Sequence, residues 1–182
     1  MITFVVHVEN KPGVLTRVAS LFRRRAYNIE SLTVGHTETA GVSRMTVVVD
    51  TNAEGAHHVE AHLYKLVNVL RVDNVTARPN VIRELALIKV STTARTRPEI
   101  FQLADVFRAR IIDVSNDSLV LELTGGAAKL DRLREVLEPY GVLEMARTGL
   151  LAMARGEGAA PTAGEPAAGR IDEAQPDIAY SV

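Results

Sequence analysis

Residues 2–9, ITFVVHVE, alternate in character: Ile2, Phe4, Val6 and Val8 fall on one side and Thr3, Val5, His7 and Glu9 on the other. A period of two predicts a half-buried strand. The period then changes. After NKPG, the apolar positions Val14, Leu15, Val18, Leu21 and Phe22 recur at helical spacing, and Arg23, Arg24 and Arg25 close the run. Cations there suit the negative end of a helix dipole, and Pro12 suits a first helical turn. YNIESLTVGH and VSRMTVVVD read as two strands joined by a hairpin-like loop at TETAG. Val59, Leu63, Leu66 and Val67 mark a second helix, and NVLRVDNVTA a fourth strand. The order βαββαβ predicts an antiparallel sheet with both helices on one face.

The pattern repeats. ELALIKVST is a strand; Ile100, Leu103, Ala104 and Phe107 form a helix after Pro98; RIIDVS and SLVLELTG are strands around Asn116 and Asp117; Leu130, Leu133, Val136 and Leu137 form a helix; GVLEMARTG closes the set. LFRRRAYNIES and VFRARIIDVS also match each other with one gap. The chain therefore reads as an α+β protein of two ferredoxin-like βαββαβ units, over residues 1–78 and 79–155, joined near RPNVIR at 78–83. Residues 156–182 turn to Gly, Ala, Pro and Glu with little to bury, which predicts a disordered C-terminal tail.

Composition narrows the function. Hydrophobic residues make up 47% of the 182 and aromatics only 4%, so the core is aliphatic. The 21 basic and 22 acidic residues leave a net charge of -1. This argues against nucleic acid as the main partner, because that affinity rests on neutralising phosphates. There is no Cys, which removes disulfides, thiolate catalysis and Cys-based zinc sites and is compatible with the cytoplasm. The N-terminus lacks the basic flank of a signal peptide, and no apolar run is long enough to span a membrane.

Few residues suggest catalysis. His58 and His62 lie four apart on a predicted helix, beside His57, but there is no HExxH pattern and no third ligand in view. TGGAAK at 124–129 lacks the spacing of a phosphate loop. NKPGVL is different. Unpaired N–H groups at a helix start attract anions, carboxylates included, and Gly13 lets a ligand approach the backbone. Asn10 and Asn28 offer donors and acceptors, and Val14, Leu15 and Ile29 offer apolar lining. This set suits a small aliphatic amino acid; a plain strand–helix turn with an Asn cap explains the same residues.

NKPGVLTRVASLFRRRAYNIESLTVG, followed in order by SRMT, KLVNVLRV, RELALIKV, FRARIIDVS and ARTG, resembles the small regulatory subunits of acetolactate synthase, also called acetohydroxyacid synthase. The resemblance covers roughly residues 1–156. It implies an N-terminal ACT domain, which is an amino-acid-binding module, and a C-terminal ACT-like domain. It implies no catalytic residues and no cofactor in this chain; thiamine diphosphate, FAD and magnesium belong to the large catalytic subunit. That large subunit is the implied partner, activated by this chain and made sensitive to feedback inhibition by valine. The family's effector contacts fall on Asn10, Gly13, Val14 and Leu15, with Asn28 and Ile29 supplied by the second protomer of a homodimer. Two alternatives remain at this level: a stand-alone ACT sensor acting on another enzyme or on transcription, and an enzyme on a ferredoxin-like scaffold.

Overall fold

The computed structural model describes residues 1–156, so the tail expected over 156–182 lies, apart from Gly156, outside the described residues. The first unit runs β1 (Ile2–Glu9), α1 (Val14–Arg24), β2 (Ile29–His36), β3 (Val42–Val49), α2 (Ala53–Leu63) and β4 (Val69–Asn74). The second runs β5 (Asn80–Ser91), α3 (Arg97–Phe107), β6 (Arg110–Val114), β7 (Ser118–Gly125), α4 (Ala127–Leu137) and β8 (Val142–Arg147), followed by β9 (Leu151–Ala154). The strand orders are β2-β3-β1-β4 and β6-β7-β5-β8, the same order of corresponding strands. All pairings are antiparallel. The chain is thus built twice on the βαββαβ plan that its periodicity predicts.

Each unit has its own core between sheet and helices. In the first, Phe4, Val6 and Val8 of β1 meet Val18, Leu21 and Phe22 of α1 and Val59 and Leu63 of α2. In the second, Ile88, Leu121 and Leu123 meet Ile100 of α3 and Leu130 and Leu133 of α4. Burying one such side chain contributes about 1.5–3 kcal/mol. The repeat extends to the helix ends. Tyr27 N–H bonds Phe22 O and Ala26 N–H bonds Arg23 O, around Ala26 at φ 56°. Ala109 N–H bonds Ala104 O and Arg108 N–H bonds Asp105 O, around Arg108 at φ 54°. Both are Schellman-type closures, with a non-glycine residue at the left-handed position that usually holds Gly.

Four expectations need correction. Pro12 lies outside α1, which begins at Val14. Leu15 is exposed, because the buried stripe of α1 is Val14, Val18, Leu21 and Phe22. Asn80–Arg83, expected to join the units, is the first third of β5 and pairs with β9. Finally, β1 is covered on both faces. β9, which the alternation did not single out, brings Ala152 onto Val5 and Val75.

The chain crosses to that face through residues 148–150. Thr148 N–H still bonds Leu85 O, extending the β8 pairing, and Leu150 N–H then donates to Ser31 Oγ at 2.7 Å. Gly149 sits between them. A Cβ there would lie 2.5 Å from Thr33 Oγ1 and 2.7 Å from Leu32 O, and the second of these is backbone that cannot rotate away. Gly149→Ala is therefore expected to cost about 1–3 kcal/mol by overpacking. Gly35→Ala, where a Cβ meets nothing within 4 Å, should be neutral or slightly stabilising. Urea denaturation of the two variants checks the contrast.

Candidate functional site

Lys11-Pro12-Gly13-Val14 forms a turn between β1 and α1. Gly13 has φ 82° and ψ −7°, and Val14 N–H donates to Lys11 O at 3.3 Å. Those angles are those of the third residue of a type II turn, with Pro in its favoured second place. Pro12 thus presets the turn, and Gly13 supplies the positive φ that it requires. Asn10 N–H anchors the turn on Gly41 O at 2.7 Å, and Lys11 N–H bonds Glu9 O at 3.0 Å.

The turn delivers an open helix end. The first helical bond is Arg17 N–H to Gly13 O at 3.0 Å. No side chain caps α1 and no acid stands in its first turn, so the Leu15 and Thr16 N–H groups face outward with the positive end of the dipole. The start of α3 is built differently, although no side chain caps a helical N–H there either. Thr93 N–H donates to Thr96 Oγ1 at 2.9 Å, Thr96 N–H donates to Thr93 Oγ1 at 3.2 Å, and Glu99 lies in the first turn. The start of α2 is capped by Asn52, whose Oδ1 accepts from Gly55 N–H at 2.8 Å.

Around the open end, Asn10 Nδ2 lies 3.4 Å from His36 Nδ1, at the far end of β2. Sequence reasoning assigned nothing to His36; strand order alone brings it there. Glu9 is held by Asn68 at 2.5 Å and Lys11 at 3.1 Å, which lowers its carboxyl pKa, the Asn68 bond first. Asn68 also accepts from Arg17 Nη1 at 2.6 Å, so the acid beside the turn is tied back toward β4 and α1.

The six residues singled out above do not gather in one chain. Asn10, Gly13, Val14 and Leu15 share the turn, but the Val14 side chain is buried in the core, leaving Leu15 as the exposed apolar group. Asn28 and Ile29 lie at the opposite end of the sheet. The registers run Glu9↔Val42 and His36↔Ser43 at one end and Ile2↔Val49 and Ile29↔Val49 at the other. Eight-residue strands separate the two groups by roughly 24 Å. Asn28 is exposed and its amide donates to the Glu30 carboxylate. Ile29 packs at the edge of the core. The outer edge of β2 pairs with no other strand among the described residues.

The other candidates fall elsewhere. His57 and His58 are exposed on α2. Arg24 and Arg25 sit with His62 and Lys65 where the C-terminal ends of α1 and α2 meet. Among the described residues, no group of three His, Asp or Glu side chains is placed to hold a metal ion. No helix among them is long and apolar enough to cross a membrane.

Comparison with known proteins gives a consistent result. The family model of the small subunit of acetolactate synthase matches residues 83–156, and that of the AHAS small subunit-like ACT domain matches residues 4–71. The chain is 52% identical to the acetolactate synthase small subunit of Bacillus subtilis, over 82% of this chain and 87% of that one. It is 49% identical to the probable acetolactate synthase small subunit of Archaeoglobus fulgidus, over 85% of this chain and 96% of the other. The crystal structure of the small subunit from Thermotoga maritima superposes with a TM-score of 0.81 at 41% identity, covering 85% of this chain and 97% of that one.

The turn itself yields a stability prediction. The Gly13 Cβ position is open, so Gly13→Ala should cost only the left-handed backbone penalty, about 1–2 kcal/mol. Gly13→Asn should cost less, because Asn tolerates that region. Thermal unfolding of both variants against wild type measures the difference.

Proposed function

This chain belongs to the family of acetolactate synthase small subunits, and from that premise we propose that it is the regulatory subunit of such an enzyme, carrying a feedback site for valine at the start of α1. The observation that supports this most directly is the start of α1 itself: a Pro-Gly turn leads into a helix with no side-chain cap and no acid in its first turn, whereas the repeat at α3 has Pro98, which lacks an N–H, and the acid Glu99 in its first turn. An amino acid's carboxylate completes the open end, with the Leu15 and Thr16 N–H groups as donors.

The rest of the site comes from a second copy. β2 is an edge strand, and an exposed edge favours pairing. A two-fold axis between Leu32 and Thr33 pairs β2 with its copy in antiparallel fashion and sets Ile29 of the second copy opposite His36 of the first. His36 touches Asn10, so the second copy's Asn28 and Ile29 arrive at the Gly13 turn. In this reading the effector is bound between two protomers, and the homodimer is the unit that senses it.

The partner is the large catalytic subunit, working in the cytoplasm. It condenses pyruvate with pyruvate or 2-oxobutyrate and holds the thiamine diphosphate, FAD and magnesium. This chain supplies activation and sensitivity rather than catalytic groups. Valine has about eight non-hydrogen atoms; at about −0.6 kcal/mol per atom its Kd is on the order of 0.1 mM, weak enough for graded control by an end product.

Two measurements test the proposal. The full chain at micromolar concentration should sediment as a dimer, and a strict monomer with and without valine counts against the shared site. Gly13→Asp puts a carboxylate beside the expected carboxylate. Two such charges about 4 Å apart repel by about 4 kcal/mol near a protein surface, comparable with the whole binding energy, while Asp tolerates the positive φ. In the reconstituted holoenzyme this variant should still activate but lose valine inhibition. If it activates and stays fully valine-sensitive, the site is misplaced.

A further inference from the structure

The other face of the first sheet carries an unrelated cluster. The registers His7↔Arg44 and His7↔Arg71 set Arg44, His7 and Arg71 abreast on β3, β1 and β4. They wall a cavity of about 240 Å³ whose apolar side includes Val5, Val75 and Met153 of β9, with Arg78, Glu38 and Asp73 also lining it. Two guanidinium groups flanking one imidazole concentrate positive charge on this face, which is unfavourable unless something compensates it.

The compensation within the chain is incomplete. Arg71 donates from Nε and Nη2 to Asp73 Oδ1 at 3.0 and 2.7 Å, yet its Nη1 is buried with no partner among the described residues. His7 Nδ1 is likewise buried with no partner among the described residues. Arg44 Nη2 donates to the Ala152 carbonyl, which carries no full charge. Among the described residues, three arginines face two carboxylates in this cavity, leaving an excess of one positive charge when His7 is neutral.

We propose that this cavity is a carboxylate-binding site, in which the guanidinium groups of Arg71 and Arg44 grip the anion beside His7, and Arg71 Nη1 and His7 Nδ1, closed off from solvent as the side chains stand, gain a partner as these turn toward it. A monoanion balances the excess charge. A phosphate dianion overshoots it and meets Asp73 and Glu38. The volume lies below the roughly 300–1,000 Å³ of sites for drug-sized ligands, so the occupant is a small free acid or one acidic side chain. Two sources offer that group. One is a free monocarboxylic acid. The other is this chain's own residues 157–182, which carry Glu157, Glu165, Asp172, Glu173 and Asp177 against Arg170 alone and follow directly from Gly156 at the cavity wall.

His7 reports occupancy. Its pKa is lowered first by burial and then by Arg44 and Arg71, opposed by Asp73 and Glu38. A bound carboxylate favours the charged imidazole, so occupancy raises that pKa and binding tightens as pH falls through it.

The test follows the His7 ring resonances by NMR in the full chain while propionate replaces chloride at constant ionic strength. Propionate has no ammonium group, which separates this site from the one at Gly13. If a free acid is the occupant, the resonances shift saturably, the His7 pKa rises at saturation, and Arg71→Gln or Arg44→Gln weakens binding at least tenfold while Gly13→Ala leaves it unchanged. If the chain's own acids are the occupant, the wild type is unresponsive, and changing the five acids after Gly156 to their amides makes it respond. The proposal is overturned if neither chain responds. It is overturned equally if binding in the folded Arg71→Gln and Arg44→Gln variants matches that in their parent. This outcome is independent of valine sensitivity, so each proposal can fail without the other.

Discussion

The structure turns on the central strand of its first sheet. β1 pairs with β3 over its full length and with β4 over residues 4–8, and it is covered on both faces. Because side chains alternate along a strand, a slip of one residue would send Phe4, Val6 and Val8 away from the helices and put Val5 and His7 in their place. That register fixes where β1 ends, and so where the Lys11–Val14 turn stands. It also puts Arg44, His7 and Arg71 in one row on the opposite face. Both candidate sites are consequences of one pairing.

The two helix starts show how duplication permits divergence. The units share strand order and helix closures, even to a strained left-handed residue at Ala26 and Arg108. They differ where a ligand could enter. Pro12 and Gly13 shape a turn into a helix with no acid in its first turn, whereas Thr93 and Thr96 bond each other ahead of α3, whose first turn holds Pro98 and Glu99. The scaffold's stability comes from apolar layers that both copies retain, so a helix start can be left without a side-chain cap at a cost of about a kcal/mol, the usual worth of a cap.

Much of this was legible in the sequence, for reasons visible in particular residues. Periods of two and 3.6 in ITFVVHVE and VLTRVASLF give the elements, and their repetition gives two units. β9 escaped because LAMA is four residues long with no turn signal of its own; its partner is Asn80–Arg83, which reads as a joint beside Pro79. Leu15 looked like part of the buried stripe because it neighbours Val14; only the rotation of α1 on the sheet separates them. The residues of the NKPG turn were readable, but their distance from Asn28 and Ile29 was not, since strand order is not written in any local window. The same holds for His36 and for the Arg44–His7–Arg71 row. Each is an accident of local spelling that tertiary pairing makes into a neighbourhood.

β5 joins these observations in a mechanical way. Its twelve residues form one continuous strand: Asn80–Arg83 pair with β9 against the first sheet, and Glu84–Ser91 are the centre of the second. Residues 75–79 turn between β4 and β5, and Asn80–Arg83 beyond them are a hydrogen-bonded ribbon rather than a loose joint. The strand that rests with β9 against the first sheet at one end is therefore the strand that centres the second sheet at the other, so whatever displaces β9 meets the middle of the second unit.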